Sequence, residues 1–400
     1  MVVTKSLARV ALSAAALALG FTLTPASAQP GPGSAQPGEG SVDHWGGYIG
    51  TPGQDVHLVP APISLPGQVA EVGTSNSTEY ALLTNGTLYA WGGGTRGQLG
   101  NGRKSSSNSV PVRVQFPPGV QIASIPTDVM PFDTGLAVDT HGHVWGWGAN
   151  KDGELCLGTT HPYTTPVELP FSGVSAVAGA GAHATYDAGG TLYSCGSGRY
   201  GELGDGSMQN STTPARVQGL NGQLVTGLVA AFANEGALLG NGQYVNWGLD
   251  SEGQLGNGTV NRSSDVPVLV SLPGRVTQVA EGGSLFNNGQ TLVMLSDGSL
   301  RAWGDGREYQ LGNGRKGVSP SPVPFSAPPG VTYTTVATSG NTSYALSTDG
   351  VVYAWGASNA GQVGDGKKAA ARQPVAVDSG AASLSATAND VAVSVQHHRR

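Results

Sequence analysis

The sequence predicts an all-β protein, a seven-bladed β-propeller of four-stranded antiparallel blades whose ring is closed by an N-terminal strand pairing with the C-terminal strands. Three observations carry this expectation. A Trp-Gly pair recurs at Trp45, Trp91, Trp147, Trp247, Trp303 and Trp355, with Cys195-Gly196 in a seventh equivalent position. The successive spacings are 46, 56, 48, 52, 56 and 52 residues, a period that marks a solenoid, a propeller or an array. Finally, 63 Gly and 25 Pro in 400 residues, arranged with this periodicity, suit many short strands and turns and leave no helical stretch of useful length.

The chain divides into four parts. Residues 1–28 read as a secretory leader: Lys5 and Arg9 form a basic head, Val10 to Leu23 is mostly apolar, and Ala26-Ser27-Ala28 supplies the small-residue cleavage pattern. The apolar run is shorter than the roughly 20 residues of a membrane span, so the expectation is an exported protein cut near Ala28 and released, with no membrane span. Residues 29–41 are rich in Pro, Gly and Ser, the composition of a flexible linker. The repeats occupy 42–395, and 396–400 form a short disordered tail.

Each unit has a second anchor downstream of its Trp-Gly pair. It reads GQLGNG at 97–102, GELCLG at 153–158, GELGDG at 201–206, GQLGNG at 253–258, YQLGNG at 309–314 and GQVGDG at 361–366; the first unit has only GQDVHL. The glycines mark backbone with positive φ or close approach, and the Leu or Val between them is expected to plug the core. In the second unit, Thr87–Trp91, Pro111–Phe116, Gln121–Ile125 and Gly135–Asp139 are β-rich runs of about five residues. Turn pairs such as Asn85-Gly86, His141-Gly142, Asp297-Gly298 and Asp349-Gly350 separate such runs. The last unit lacks a following Trp-Gly strand, and Val42–Gly46 supplies one, which closes the ring and removes exposed sheet edges.

The pattern Trp-Gly, a few variable residues, Gly-Gln-Leu-Gly-x-Gly and a Pro-led strand resembles the regulator of chromosome condensation repeat. YAWGGGTRGQLGNG and YAWGASNAGQVGDG carry the likeness best, and it spans residues 42–395. The resemblance implies a seven-bladed propeller whose faces and loops bind other proteins; it does not specify the activity, because one propeller fold hosts unrelated functions. Founding members are nuclear exchange factors for the small GTPase Ran, and similar propellers occur among secreted bacterial proteins. The export signal and the 56-residue limit on unit length, which leaves no room for a large protruding hairpin, argue against nuclear nucleotide exchange.

Both cysteines replace repeat residues, Cys156 a Gly and Cys195 a Trp, in adjacent units. In an exported chain this predicts one disulfide between neighbouring blades. Other chemistry is not legible. The sequence holds no GxSxG elbow and no phosphate-binding Gly-rich loop with Lys. The histidines do not reach a metal-ligand pattern: His141 and His143 flank a hairpin turn, and His183 is a strand residue. No cofactor, no metal and no enzymatic activity are expected. With 20 Lys+Arg against 26 Asp+Glu, and no contiguous basic run beyond the last residues, nucleic acid is not an expected partner.

The remaining variation lies in the loop between Trp-Gly and Gly-Gln-Leu-Gly. Around the units it presents Tyr48, Arg96, Lys151, Arg199 with Tyr200, Glu252, Arg307 with Tyr309, and Asn359. Tyr and Arg are enriched at interface hot spots, so Tyr48, Arg96, Lys151, Arg199, Tyr200, Arg307 and Tyr309 form the candidate binding face of a monomeric, non-catalytic protein-binding module, acting as inhibitor or scaffold. The alternative is a cell-wall or glycan-binding module using Tyr48, Tyr163, Tyr200 and Tyr309 as stacking platforms. A hydrolase is the third reading.

Overall fold

The computed structural model describes residues 40–46, 57–75, 77–126, 130–220, 222–283, 289–386 and 393–397. The sequence expectations for the leader and for Tyr48 lie outside these residues. Strands β1 (Gly40–Gly46) and β2 (His57–Leu65) open the described chain. Blade 1 then comprises β3 (Val69–Ser75), β4 (Thr78–Leu83), β5 (Leu88–Gly94) and β6 (Ser105–Arg113). Blade 2 comprises β7 (Ile122–Ser124), β8 (Thr134–Asp139), β9 (Val144–Gly148) and β10 (Tyr163–Glu168). Blade 3 follows with β11 (Val174–Ala180), β12 (His183–Ala188), β13 (Thr191–Gly196) and β14 (Ser211–Arg216).

Blade 4 contains β15 (Val225–Ala231), β16 (Asn234–Leu239), β17 (Tyr244–Gly248) and β18 (Ser264–Leu269). Blade 5 contains β19 (Val276–Gly283), β20 (Gly289–Leu295), β21 (Leu300–Gly304) and β22 (Ser319–Pro324). Blade 6 contains β23 (Tyr333–Ser339), β24 (Thr342–Ser347), β25 (Val351–Gly356) and β26 (Ala371–Ser379). The last strands are β27 (Ala381–Ala386) and β28 (Val393–His397).

The equivalent units counted from the Trp-Gly pairs thus resolve into six blades continuous in sequence and one composite four-stranded sheet in the order β27-β28-β1-β2. In that sheet β1 pairs antiparallel with β28, Trp45 opposite Val393 and Val42 opposite Gln396. Pairing lengthens both terminal strands past the sequence-expected boundaries. Gly40 and Ser41, placed in the linker by composition, align with Leu65 and Ser64, and β28 runs two residues into the expected tail, to His397, which pairs with Ala381. A second difference is one of frame. The four strands expected for the second unit fall in two sheets, β5 and β6 in blade 1, β7 and β8 in blade 2. The sequence repeat begins on the third strand of one blade and ends on the second strand of the next, so each repeat ties two blades together.

Within a blade the position of a strand follows from its residues. The second strands are almost wholly buried, as in β4 and β24, whereas every residue of the outer strands β6, β14, β18 and β26 is half-buried or exposed. Pro111, Pro214, Pro267 and Pro374 all sit on these outer strands. An edge strand can spare the missing N–H, and proline there discourages pairing with a second chain. Apolar clusters fill the spaces between blades: one joins Tyr80, Leu82 and Leu99 of blade 1 to Trp147 and Met130 of blade 2, and another joins Trp45 to Tyr344, Val352 and Val363 of blade 6.

Candidate binding face

Antiparallel connectivity places the loop joining third and fourth strands at the same end of each blade as the turn joining first and second strands. All the long Gly-Gln-Leu-Gly loops therefore gather on one face. The hairpin carrying His141 and His143 joins second and third strands and belongs to the opposite face, where Asp139 accepts the backbone N–H groups of both histidines at 2.8 and 3.0 Å. Among the described residues no group of His, Cys, Asp and Glu could hold a metal ion.

The loops are held by one device repeated around the ring. The Gln or Glu of each anchor turns inward and its side-chain oxygen accepts the backbone N–H two residues upstream: Arg96 to Gln98, Asp152 to Glu154, Tyr200 to Glu202, Glu252 to Gln254, Glu308 to Gln310 and Ala360 to Gln362, at 2.7 to 3.1 Å. The next residue is the plug expected from the sequence, with Leu99, Leu155, Leu203, Leu255 and Val363 wholly buried and Leu311 nearly so. The carbonyl of the same Gln or Glu then receives the indole N–H of the following blade. Trp147 donates to Gln98, Trp247 to Glu202, Trp303 to Gln254, Trp355 to Gln310 and Trp45 to Gln362, at 2.8 to 3.0 Å. Each indole lies against the Gly that ends the plug; a Cβ at Gly364 would stand 2.5 Å from Trp45 Nε1.

Blade 3 solves the same contact with different residues. Cys195 replaces the Trp and Cys156 replaces the Gly, and the two form a disulfide across a Cα separation of 5.4 Å, as the sequence predicts. Cys156 keeps the left-handed backbone of the glycine it replaces, with φ 57° against 62° at Gly100 and 65° at Gly256. A third substitution completes the set and was not legible from the sequence. Tyr186 occupies the register where other blades have Ala81, Ala137, Ala237 and Ala345. Its hydroxyl donates to the Glu154 carbonyl at 3.0 Å, the role an indole plays elsewhere, and its ring stacks on Phe171 at 4.4 Å.

Arg96, Lys151, Arg199, Tyr200, Arg307 and Tyr309 all lie on this loop face, in blades 1, 2, 3 and 5. Arg96, Lys151, Arg199, Tyr200 and Arg307 are exposed. Arg307 bridges to Glu252 of blade 4 and lies 3.7 Å from Asp305. Tyr309 has φ 70° where Gly97, Gly153, Gly201, Gly253 and Gly361 stand in the other loops, is half-buried, and lies under Lys316 with the ammonium 4.9 Å from the ring centre. Tyr163 is not a free platform, since it is half-buried against the cluster containing Tyr186 and Phe171. Among the described residues, Tyr200, 38% exposed, is the large aromatic at this face that stands out into solvent.

Under the face lies a polar interior. His183 Nε2 and Glu235 Oε2 are 3.0 Å apart, both residues wholly buried, joining blades 3 and 4. Burial pushes the Glu235 carboxyl up and the His183 imidazole down, and both directions favour the neutral forms of the hydrogen-bonded pair. Glu281 of blade 5 accepts from the Tyr244 hydroxyl and from Asn246 Nδ2 of blade 4, the latter at 2.6 Å; burial raises its carboxyl to about 8. A void between blades 4 and 5, lined by Asn234, Gln254, Gly282 and Gly289 among others, is about 10 Å³. That holds one water, not a substrate.

Comparison with known proteins agrees with this architecture. The regulator of chromosome condensation (RCC1) repeat matches residues 85–126, 141–186, 189–231, 241–285 and 297–346, more than half of the chain. The chain belongs to the family of proteins built from this repeat. It is 31% identical over 304 residues to the E3 ubiquitin-protein ligase HERC2 of Homo sapiens, covering 74% of this chain but 6% of HERC2. It is 30% identical over 284 residues to the ultraviolet-B receptor UVR8 of Arabidopsis thaliana, covering 70% of this chain and 63% of the receptor. It therefore spans less than two thirds of either relative. Among solved structures, human WBSCR16 superposes with a TM-score of 0.77 at 18% identity, covering 90% of this chain and 98% of that one. Prp20p of Saccharomyces cerevisiae gives 0.76 at 20% identity, covering 91% and 92%.

Proposed function

We propose that this chain is an exported, monomeric, non-catalytic propeller that binds another protein through its loop face, as an inhibitor or a scaffold. The observation that carries this reading is the division of labour within each loop. The Gln or Glu, the plug and the glycines are engaged in holding neighbouring blades together, while the one or two residues before them vary and face solvent, as at Arg96, Lys151, Arg199 and Arg307. A rigid support with a variable polar and aromatic rim is the anatomy of a protein interface. The yeast structure of the same fold is described with binding properties to Gsp1p and histones, which supports protein recognition by this architecture. The leader-like residues 1–28 and the inter-blade disulfide support export, because such bonds persist in oxidising compartments.

Affinity capture with residues 29–400 as bait, against secreted and wall fractions of the source cells, tests the proposal. One dominant protein, lost when Arg199, Tyr200, Arg307 and Tyr309 become Ala, is the expected result. Retention by wall polysaccharide alone would replace it with the glycan-binding reading.

A further inference from the structure

The charged residues of the loop face are not evenly distributed. After each Gly-x-Gly the chain makes the same turn, in which the Asn or Asp side chain between the glycines accepts the backbone N–H two residues on. This bond links Asn101 to Arg103, Asp205 to Ser207, Asn257 to Thr259, Asn313 to Arg315 and Asp365 to Lys367, at 2.9 to 3.2 Å. The dipeptide beginning at that position therefore has one register in these five blades, and Thr159-Thr160 holds the same sequence position in blade 2, where Leu157 replaces the Asn or Asp. In blades 1, 5 and 6 it is Arg103-Lys104, Arg315-Lys316 and Lys367-Lys368; in blades 2, 3 and 4 it is Thr159-Thr160, Ser207-Met208 and Thr259-Val260. All six basic side chains are exposed.

Blades 5 and 6, the composite sheet and blade 1 follow one another around the ring: innermost strands touch from β19 to β23, β23 to β27 and β27 to β3. The basic dipeptides thus occupy one arc. Arg372 of blade 6 extends it, donating from Nε to the carbonyl of Gly314, next to Arg315, at 2.9 Å. The loop of blade 1, residues 95–104, carries three cations and no acid, whereas the corresponding loops of blades 2, 3 and 4 each carry one more acid than base. In a chain with net charge −6, one side of the face is cationic and the other is not.

Resting on the protein-binding reading above, we propose that the arc formed by blades 5, 6 and 1 docks an acidic segment of the partner protein. Lys316 lies 3.7 Å from Glu308 and Lys367 3.3 Å from Asp365 on their own loops, so the arc offers a surplus of positive charge, not isolated pairs, to a chain of carboxylates; complementarity of this kind steers encounter and fixes register. A long polyanion such as DNA is disfavoured because the cationic arc gives way to acidic loops at blades 2 to 4, and a continuous phosphate backbone needs a continuous basic track.

The test uses residues 29–400 and a variant with R103T, K104T, R315T, K316T, K367T and K368T. Thr159-Thr160 already fills this position in blade 2, and circular dichroism and thermal unfolding verify that the variant folds. Fluorescent poly-L-glutamate of 20 residues and a 20-base-pair DNA duplex are titrated against both proteins. The expected result is binding of polyglutamate that weakens with salt and falls at least tenfold in the variant. Failure to bind polyglutamate, equal binding by both proteins, or tighter binding of the duplex would overturn the proposal. In the capture experiment, a partner retained equally by wild type and variant would leave the binding module standing and remove the acidic segment.

Discussion

At the residue scale, the carboxyl groups under the loop face have consequences for stability. Glu154 stands where four of the six loops have Gln, and its side chain is buried with its carboxyl raised to about 7 by burial, partly offset by backbone hydrogen bonds. A carboxyl whose folded pKa lies above its unfolded value holds its proton in the folded chain after the unfolded chain has lost it. Stability then falls as pH rises from the unfolded value, near 4.5, to the folded one, and levels off beyond. Glu154 acts between about 4.5 and 7, and Glu281 between about 4.5 and 8. Glu154→Gln restores the neutral side chain that accepts the same N–H elsewhere. It is expected to raise stability by roughly 1–3 kcal/mol at pH 8 and to change it little at pH 4.5. Urea unfolding at the two pH values measures this; an equal gain at both would place the effect in packing rather than titration.

At the element scale, the loop and the third strand of the following blade behave as one lock. Five blade junctions use Gly with Trp, and the junction between blades 2 and 3 uses Cys156, Cys195 and Tyr186. The disulfide closes a sequence separation of 39 residues, worth about 4 kcal/mol on the chain-entropy account. The two versions are exchangeable only as sets, since a Trp needs the space that Cys156 and Tyr186 occupy. Cys195→Ser alone is expected to lose roughly 2–5 kcal/mol. The triple variant C156G, Y186A, C195W is expected to regain most of that loss and to unfold at the same temperature with and without reductant. Calorimetry of the three proteins decides it, and a triple variant no more stable than C195S would show that the junction is not modular.

At the scale of the whole molecule, the composite sheet joins the two ends of the described chain and links blade 6 to blade 1. Blade 6 treats β1 and β2 as its next blade. Trp45 donates to the Gln362 carbonyl at 3.0 Å, Gly366 donates to the Leu58 carbonyl at 2.8 Å, and on the far side Thr74 of blade 1 donates to the Ala386 carbonyl at 2.8 Å. Without β1, strands β2 and β28 would lose their common partner and leave paired edges open. Trp45→Ala removes a fully buried indole and its hydrogen bond, and is expected to cost about 3–5 kcal/mol. A chain beginning at residue 47 is expected to lose the single sharp unfolding transition and to associate at micromolar concentration. Light scattering with denaturant unfolding tests both; a truncated chain that stays monomeric and unfolds as sharply as the parent would show that closure contributes little.

The repeat length, the strand-and-turn punctuation, the plug residues and the cysteine pairing were legible in the sequence because each depends on local chemistry recurring at equal spacing. Gly with positive φ and an apolar residue between glycines leave marks within six residues of one another, and the edge-strand Pro of blades 1, 3, 4 and 6 follows eight or nine residues after the last of those glycines. The frame of the blades was less legible: Trp-Gly is the strongest signal but sits on the third strand, so counting from it divides every blade in two. Tyr186 leaves no mark in the sequence for a related reason, since its substitution for Ala matters only beside Cys195, which lies diagonally from it on the neighbouring strand, opposite Ala184. The candidate binding residues could be written from the sequence as a list of variable loop positions, but their arrangement on one face could not. Arg103-Lys104, Arg315-Lys316 and Lys367-Lys368 lie far apart in the chain, and charge acts through space. Composition and spacing determine which segments become strands, turns and plugs, because backbone preferences and burial are local. Which side chains share a face, and which blades adjoin when the ring closes, only the tertiary structure decided.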